Sequence, residues 1–407
     1  MVPKTALLNL RHLRVFLEVA KSGGISAAAR TVNLSQPAIT QAIAKLEAVF
    51  QQKLFARGST GMFLTEAGAL LQARADRALA HIRNGCARAL KSQMRDGNSK
   101  AGSFELLITS TQLRALLLVE TSGSFSLAAR NLGISQPSLH RAARDLEANS
   151  GMQLFNKTRQ GIALTDAAKR LAQHTRLAIA EMRHAFEEID ATRGVDSARV
   201  VIGALPLARS HILPVAINKL TGKRPSVQVS IADGPYDDLL HGLRHGEIDL
   251  MIGALRDPLP VDDIEQHPLF SDRLGIYASP GHPLSCKTSV TLEDLRLFPW
   301  VVPRSGSPTR QHFDALFGVS DQFPAEGLVD TGSLVLTRGI VRGSNRLALI
   351  SRHQMQEDLA NERISQIEFD LPGSERKIGM TTRTNWHPTQ TLKEFLEILR
   401  GLVQKMD

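Results

Sequence analysis

Two clusters of hydrogen-bonding side chains, one hundred positions apart, hold the most chemistry in this chain. The first is Ser35, Gln36, Pro37, Thr40, Gln41 and Lys45, followed by Arg57; the second is Ser135, Gln136, Pro137, His140, Arg141 and Arg144, followed by Lys157 and Arg159. An arginine fork can read guanine with two bonds, and a glutamine amide can read adenine likewise. Catalysis needs a nucleophile beside a base and an orienting third group, and here Ser, His and Asp are scattered, with no GxSxG elbow, phosphate loop or HExxH. The chemistry on offer is recognition of a polyanion that carries bases, not bond breaking.

Such side chains read DNA only if something aims them. "SAAARTV" and "SLAARNL" each predict a short helix with Ser at its start, followed by a turn at Asn33 or Gly133, the residue types that best tolerate positive φ. A second helix begins at "SQP", with Ser35 or Ser135 as N-cap and Pro37 or Pro137 in the first turn, where a missing N–H costs little. Two helices on a short turn make a helix-turn-helix, whose second helix enters the major groove. After it, "LFARGSTGMFLTEAG" and "LFNKTRQGIALTDAA" predict two short strands around a basic tip, a wing that touches phosphate through Arg57, or through Lys157 and Arg159. Taken singly, each basic residue reads as well as a solvated surface charge; the ordered set of cap, turn, helix and wing favours DNA.

Residues 13–72 and 113–172 align without a gap at 24 identities in 60 positions, a duplication. The shared apolar positions, among them Leu13, Leu17, Ala28, Ala29, Leu46, Leu54, Phe55 and their counterparts at +100, fall at helical spacing and predict core. Both copies resemble the winged helix-turn-helix of LysR-type transcriptional regulators. The family pattern of Ala-Ala, Ser-Gln-Pro, Leu-Glu, Leu-Phe and Leu-Thr stands at Ala28, Ala29, Ser35, Gln36, Pro37, Leu46, Glu47, Leu54, Phe55, Leu64 and Thr65, and again one hundred residues on. The family opens with one such module, so the tandem copy is a departure. At the expected DNA face the copies differ: Thr40, Gln41 and Ala44 against His140, Arg141 and Arg144. They are expected to prefer different bases; the competing reading is that one copy has become a scaffold.

The charge agrees. Residues 1–196 carry 26 Lys+Arg against 15 Asp+Glu, net +11, whereas residues 197–407 carry 23 against 25, net −2. A basic half that binds polyanions is joined to a near-neutral half with another task. Cys86 and Cys286 are too few and too far apart for a disulfide framework or zinc site, so neither metal nor cofactor is expected. Without an apolar run near eighteen residues or a signal-peptide core, the expected location is the cytoplasm, with no membrane partner.

The stretch from Thr165 to Ala191 predicts one long helix whose Leu171, Thr175, Ala178, Met182 and Ile189 form a narrow seam for a copy of itself, the competing reading being a helix packed on its own domain. The resemblance implies the same, since these regulators dimerise through a helix placed there. In copy one, Leu71, Ala75, Ala78, Ile82 and Ala89 make a weaker seam interrupted by Gly85, which either breaks or packs within the chain. From Arg199 on, apolar runs such as "RVVIGAL", "VQVSIAD", "IDLMIGA", "LGIYAS", "PWVVP" and "RLALIS" predict an α/β unit of mostly parallel strands. It resembles the family's effector-binding domain, with the two-lobed fold of periplasmic solute-binding proteins.

Ligands gather at strand carboxyl ends and between lobes, which nominates Leu205, Pro206, Arg209, Ser210, Asp233, Gly234, Arg304, Ser305, Ser307, Thr309, Thr331 and Gly332. Hydroxyl and amide donors at a helix start beside arginine suit an acidic small molecule.

The expected organisation is multidomain: winged helix-turn-helix domains over 8–72 and 104–165, helix and linker over 73–103, a linker or dimerisation helix over 166–193, and a two-lobed α/β effector domain over 198–407. The function this predicts is a sequence-specific bacterial regulator of transcription, bound to double-stranded DNA and a small-molecule effector as a homo-oligomer. A dimer is favoured over a tetramer, because two such chains already carry four heads. The alternatives are an architectural DNA-binding protein without effector and, further off, an enzyme.

Overall fold

The computed structural model describes residues 8–58, 61–93, 104–318 and 327–404. It divides into two compact units, Met1–Arg199 with Arg244–Glu247, and Val200–Leu243 with Ile248–Asp407. The first unit holds one arrangement twice. Helices α1 (Leu10–Ser22), α2 (Ile25–Val32) and α3 (Gln36–Phe50), the hairpin β1 (Phe55–Gly58) and β2 (Gly61–Leu64), and long helix α4 (Glu66–Gln93) form the first copy. Helices α5 (Ser110–Ser122), α6 (Phe125–Leu132) and α7 (Gln136–Ser150), the hairpin β3 (Phe155–Thr158) and β4 (Gly161–Leu164), and α8 (Asp166–Ala191) form the second.

Local rules explain the breaks. Gly23 and Gly123 close α1 and α5 in the left-handed conformation, at φ 71° and 62°. Asn33 (φ 53°) and Gly133 (φ 67°) do the same for α2 and α6, as the turn residues require. The short second helices start one residue earlier than expected, at Ile25 and Phe125, and no side chain caps them. Leu13, Leu46, Leu54, Leu113, Leu146 and Leu154 are buried in the two cores, so the repeated apolar positions are packing positions.

The long helices depart from expectation. Helix α4 runs unbroken through Gly85 and packs along α8 of the same chain. Arg74 of α4 bonds Glu181 and Glu188 near the end of α8, whereas Gly85 lies against Leu171 and His174 near its start, so the pair is antiparallel. Leu171, Thr175, Ala178, Met182 and Ile189 are all buried there, so the seam expected to meet a second copy is occupied from within. The reason is complementarity: Leu71, Ala75, Ala78, Ile82 and Ala89 present a matching buried stripe. Gly85 is no weakness, since a Cβ there would stand 2.7 Å from the His174 Cβ. The linker over 95–103 lies outside the described residues, and with it the end of the 73–103 segment.

The second unit is a mixed sheet folded into two lobes, each with its own core. Lobe one contains β5 (Arg199–Ala204), α9 (Ile212–Lys223), β6 (Gln228–Ala232), α10 (Tyr236–Arg244) and β7 (Leu250–Ala254). The 15-residue strand β8 (Ile264–Ala278) then leads into lobe two, built from α11 (Leu292–Arg296), β9 (Trp300–Val302), α12 (Pro308–Phe317), β10 (Val329–Asp330), α13 (Leu334–Arg342), β11 (Leu347–Ser351), α14 (Arg352–Ala360) and β12 (Ser365–Ile367). The chain returns through β13 (Glu375–Arg383) to α15 (Gln390–Val403) in lobe one. Parallel pairs β5–β7, β9–β10 and β9–β11 match the continuous apolar runs. The unit is less parallel than expected, because β8 and β13 pair antiparallel with their neighbours.

Candidate nucleic-acid interface and ligand cleft

In each copy the helix expected to read bases is set by three contacts. Ser35 and Ser135 are N-caps whose hydroxyls accept from the Ala38 and Ser138 amides at 3.4 and 3.3 Å, and Gln36, Pro37, Gln136 and Pro137 form the exposed first turns. Leu46 and Leu146 anchor the inner face in the core. Next to them, Glu47 and Glu147 accept from the Leu54 and Leu154 amides at 3.0 and 2.8 Å, tying the wing to α3 and α7. Sequence reading saw the Leu-Glu pair as a pattern; its acid is the clamp that fixes the wing. The Thr of Leu-Thr likewise caps the long helices, Thr65 accepting from Gly68 and Thr165 from Ala168.

With the inner faces spent on packing, the outer ones carry the expected readers. Thr40, Gln41 and Lys45 on α3 are exposed, as are His140, Arg141 and Arg144 on α7. Thr40 donates back to the Gln36 carbonyl, His140 rests 5.0 Å from the Phe125 ring, and Ser126 fixes the Gln136 amide at 2.9 Å. Exposed Arg144 makes a 3.8 Å ion pair with half-buried Glu147, a weak tether. The wings are pinned through their returning strands, close to the turns, where Met62 and Ile162 donate to the Gly23 and Gly123 carbonyls at 2.9 and 2.7 Å. Arg57, Lys157 and Arg159 are exposed on them.

The ligand candidates sit at the carboxyl ends of β5, β6, β9 and β10, as expected for this sheet. Leu205 donates to the Ile252 carbonyl and Pro206 follows it in the open. Arg209 is already paired with Asp233 at 3.0 Å, beside Gly234. Ser307 caps α12, and exposed Arg304 and Ser305 precede it, with Arg304 beside Gly332. Thr331 bonds the Val302 carbonyl and the Ser333 amide.

Thr309 differs from expectation: it is buried and its hydroxyl accepts from Arg376, so it backs the helix start. Arg376 is held in turn by Asp272, which is 1% exposed and also takes bonds from Ser351 at 2.6 Å and His353 at 2.9 Å. Burial alone would raise the Asp272 carboxyl, but these partners hold it below the usual carboxylate range.

Sequence reading missed Arg256 and Tyr236, and the first of these joins the lobes. The Arg256 guanidinium lies 4.5 Å over the Tyr236 ring and donates to the Gly306 carbonyl at 3.4 Å. The Ser210 and Tyr236 hydroxyls are buried with no hydrogen-bond partner among the described residues. A cation, two unused hydroxyls and a helix start at one set of strand ends suit a polar, anionic ligand. Among the described residues no His, Cys, Asp and Glu cluster could hold a metal, and no helix is long and apolar enough to cross a membrane. Neither cysteine forms a disulfide; burial pushes the Cys86 thiol up to about 12, while Cys286 is exposed.

Comparison with known proteins places both halves. "Bacterial regulatory helix-turn-helix protein, lysR family" matches residues 10–69 and again 110–169, and "LysR substrate binding domain" matches 193–404. The HTH-type transcriptional regulator GalR of Pseudomonas putida is 34% identical over 378 residues, 93% of each chain. The uncharacterized regulator YdcI of Escherichia coli is 28% identical over 70% of this chain and 93% of its own. In fold the chain is similar to ArgP of Mycobacterium tuberculosis (TM-score 0.56, 17% identity, 72% of this chain and 97% of that one). It is similar also to full-length OxyR of Pseudomonas aeruginosa (TM-score 0.51, 21% identity, 72% and 95%).

Proposed function

We propose, for a chain that belongs to the LysR family of bacterial helix-turn-helix regulators, two DNA-reading heads of different base preference under the control of an acidic small molecule. The relatives are transcriptional regulators, not enzymes, and this chain is a DNA-binding regulator with an effector-binding domain. The single observation that carries the two-head reading is that both copies keep cap, turn, wing clamp and exposed reading face while their readers differ. A copy reduced to scaffold would have no use for three exposed basic or imidazole side chains on α7.

Gln41 suits adenine and Arg141 guanine, with Arg57, Lys157 and Arg159 on phosphate. The ligand would sit where Arg256, Ser210, Ser305 and Ser307 face the strand ends, and bridging the lobes would bias their arrangement. The full chain should hold its site against excess random DNA in an electrophoretic shift, and a His140→Ala/Arg141→Ala/Arg144→Ala variant should lose part of the footprint. An unchanged footprint sinks the second reader, and displacement by random DNA favours an architectural protein. A thermal-shift screen of small carboxylates reads the effector arm; stabilisation only by neutral or cationic compounds would overturn its acidic character.

A further inference from the structure

The contacts inside the first unit are those of a twofold pair. In an isologous interface, if residue i meets j, then j's counterpart meets i's counterpart. Arg74 meets Glu181 at 2.9 Å, and their counterparts one hundred positions away, His174 and His81, bring their rings within 6.0 Å. Phe50 at the end of α3 packs 4.5 Å from Phe186 of α8, and the counterpart pair, Ser150 and Cys86, is buried as well. A residue that meets its own counterpart must lie on the axis. Leu10 and Ser110 do so, the Leu10 amide donating to the Ser110 hydroxyl at 3.1 Å.

The symmetry of the backbone is broken in the charges. Arg74, 4% exposed, binds Glu188 with two nitrogens at 2.9 and 2.6 Å and Glu181 with a third at 2.9 Å. Arg77 adds a 2.9 Å bond to Glu181, with His81 behind it at 3.9 Å. All the bases of this cluster are on α4 and both acids on α8. Were two α4 helices paired in this geometry, Arg74 would face His81 and Arg88, where Glu181 and Glu188 now stand. Two α8 helices would leave Glu181 facing His174 and Leu177 in place of Arg74 and Arg77. An unpaired buried charge is costly, so either like pairing is disfavoured.

We propose that α4 and α8 carry a charge code that pairs the two heads within one chain, making each chain a complete twofold reader of inverted half-sites of unlike sequence. Ten positions separate Gln93 from Phe104, and a tether that short gives an effective concentration on the order of mM, which favours the partner in the same chain. Twofold heads read inverted half-sites. Here the counterparts Gln41 and Arg141, or Lys45 and Asp145, cannot read the same bases, so the inverted site is not a palindrome. A second chain has no place in this seam, and larger assemblies must use another surface. The inference takes its meaning from the DNA-reading role proposed above, but its test contains no DNA.

A full-length Gly85→Cys/His174→Cys variant, in a Cys86→Ala/Cys286→Ser background, is oxidised and run denatured without reductant. A cross-link within one 44.5 kDa chain is expected, seen as faster migration than the same chain run with reductant. A band at twice that mass, or a folded protein that does not cross-link, overturns pairing in cis. Because a Cβ at position 85 crowds His174, a second arm uses charge alone: Glu181→Arg/Glu188→Arg should lower Tm by several degrees, and adding Arg74→Glu/Arg77→Glu should recover most of the loss. No loss on the one-sided reversal, or no recovery on the two-sided one, overturns the code. Failure to bind any specific DNA would remove the proposed function and leave both outcomes readable.

Discussion

The two heads share a scaffold and differ where the scaffold ends. Leu46 and Leu146, Ser35 and Ser135, and Glu47 and Glu147 occupy equivalent places with equivalent partners. One helical turn outward, Gln41 faces solvent where Arg141 does, and Ala44 where Arg144 does. Packing holds a buried position to a narrow choice, whereas a solvent-facing helix position is free to take whatever its partner rewards. The same division runs along the long helices: the apolar seam is alike in both, and the charges beside it are opposite. The two copies thus keep one geometry and differ in the side chains it exposes.

The largest effect should come from breaking the asymmetry of the seam. Arg74→Ala leaves Glu181 and Glu188 partly buried without their main cation, and should destabilise the first unit by about 3–5 kcal/mol in chemical denaturation. A change below about 1 kcal/mol would mean the cluster is solvated. Its pH dependence has a definite sign. Burial alone would raise the Glu181 carboxyl, but His81, Arg77 and Arg74 hold it far below the carboxylate range. A folded-state value depressed in this way gives stability that is complete above the ordinary value of 4.5 and is lost as the pH falls below it. The stability gap between wild type and Glu181→Gln should therefore narrow on acidification from pH 5 downwards; a gap that widens would contradict the assignment.

Next in size are the readers, where the comparison between heads can be sharpened. Arg141→Ala should cost about 1–3 kcal/mol at guanine-containing half-sites and relax one half of the operator, while Gln41→Ala relaxes the other. Competition with single-base operator variants separates them, and equal loss across both halves would mean the heads are not distinct readers. Smallest is the shared cap: Ser35→Ala and Ser135→Ala should each cost about 1 kcal/mol of stability, by similar amounts. A large difference in thermal unfolding between them would show that the scaffolds are less alike than their geometry.

Much of this was legible in the residues, because caps, turns and repeats are local. "SQP" declared a helix start and Asn33 or Gly133 a turn, and strand ends followed from apolar runs. What the helices paired with was not legible. A heptad seam announces that a partner exists and is silent on which one, so Leu171, Ala178 and Met182 pointed to a second copy where α4 lies. Gly85 looked like a flaw because propensity scores it in isolation, without His174 against it. Arg256 and Tyr236 escaped notice since neither belongs to a motif; they meet through the folding of lobe one, and Arg256 reaches Gly306 only across the lobes. Glu47 and Glu147 stood in a recognised pattern, yet their work on the wing amides needed three dimensions.

The most direct test of two unlike heads on one chain is selection of preferred sites from random DNA by the full-length protein, beside an Arg141→Ala/Arg144→Ala variant. Two inverted half-sites of different sequence are expected for the wild type, with the variant losing information in one half alone. A palindrome read equally by both halves, or a motif the variant leaves unchanged, would contradict the account.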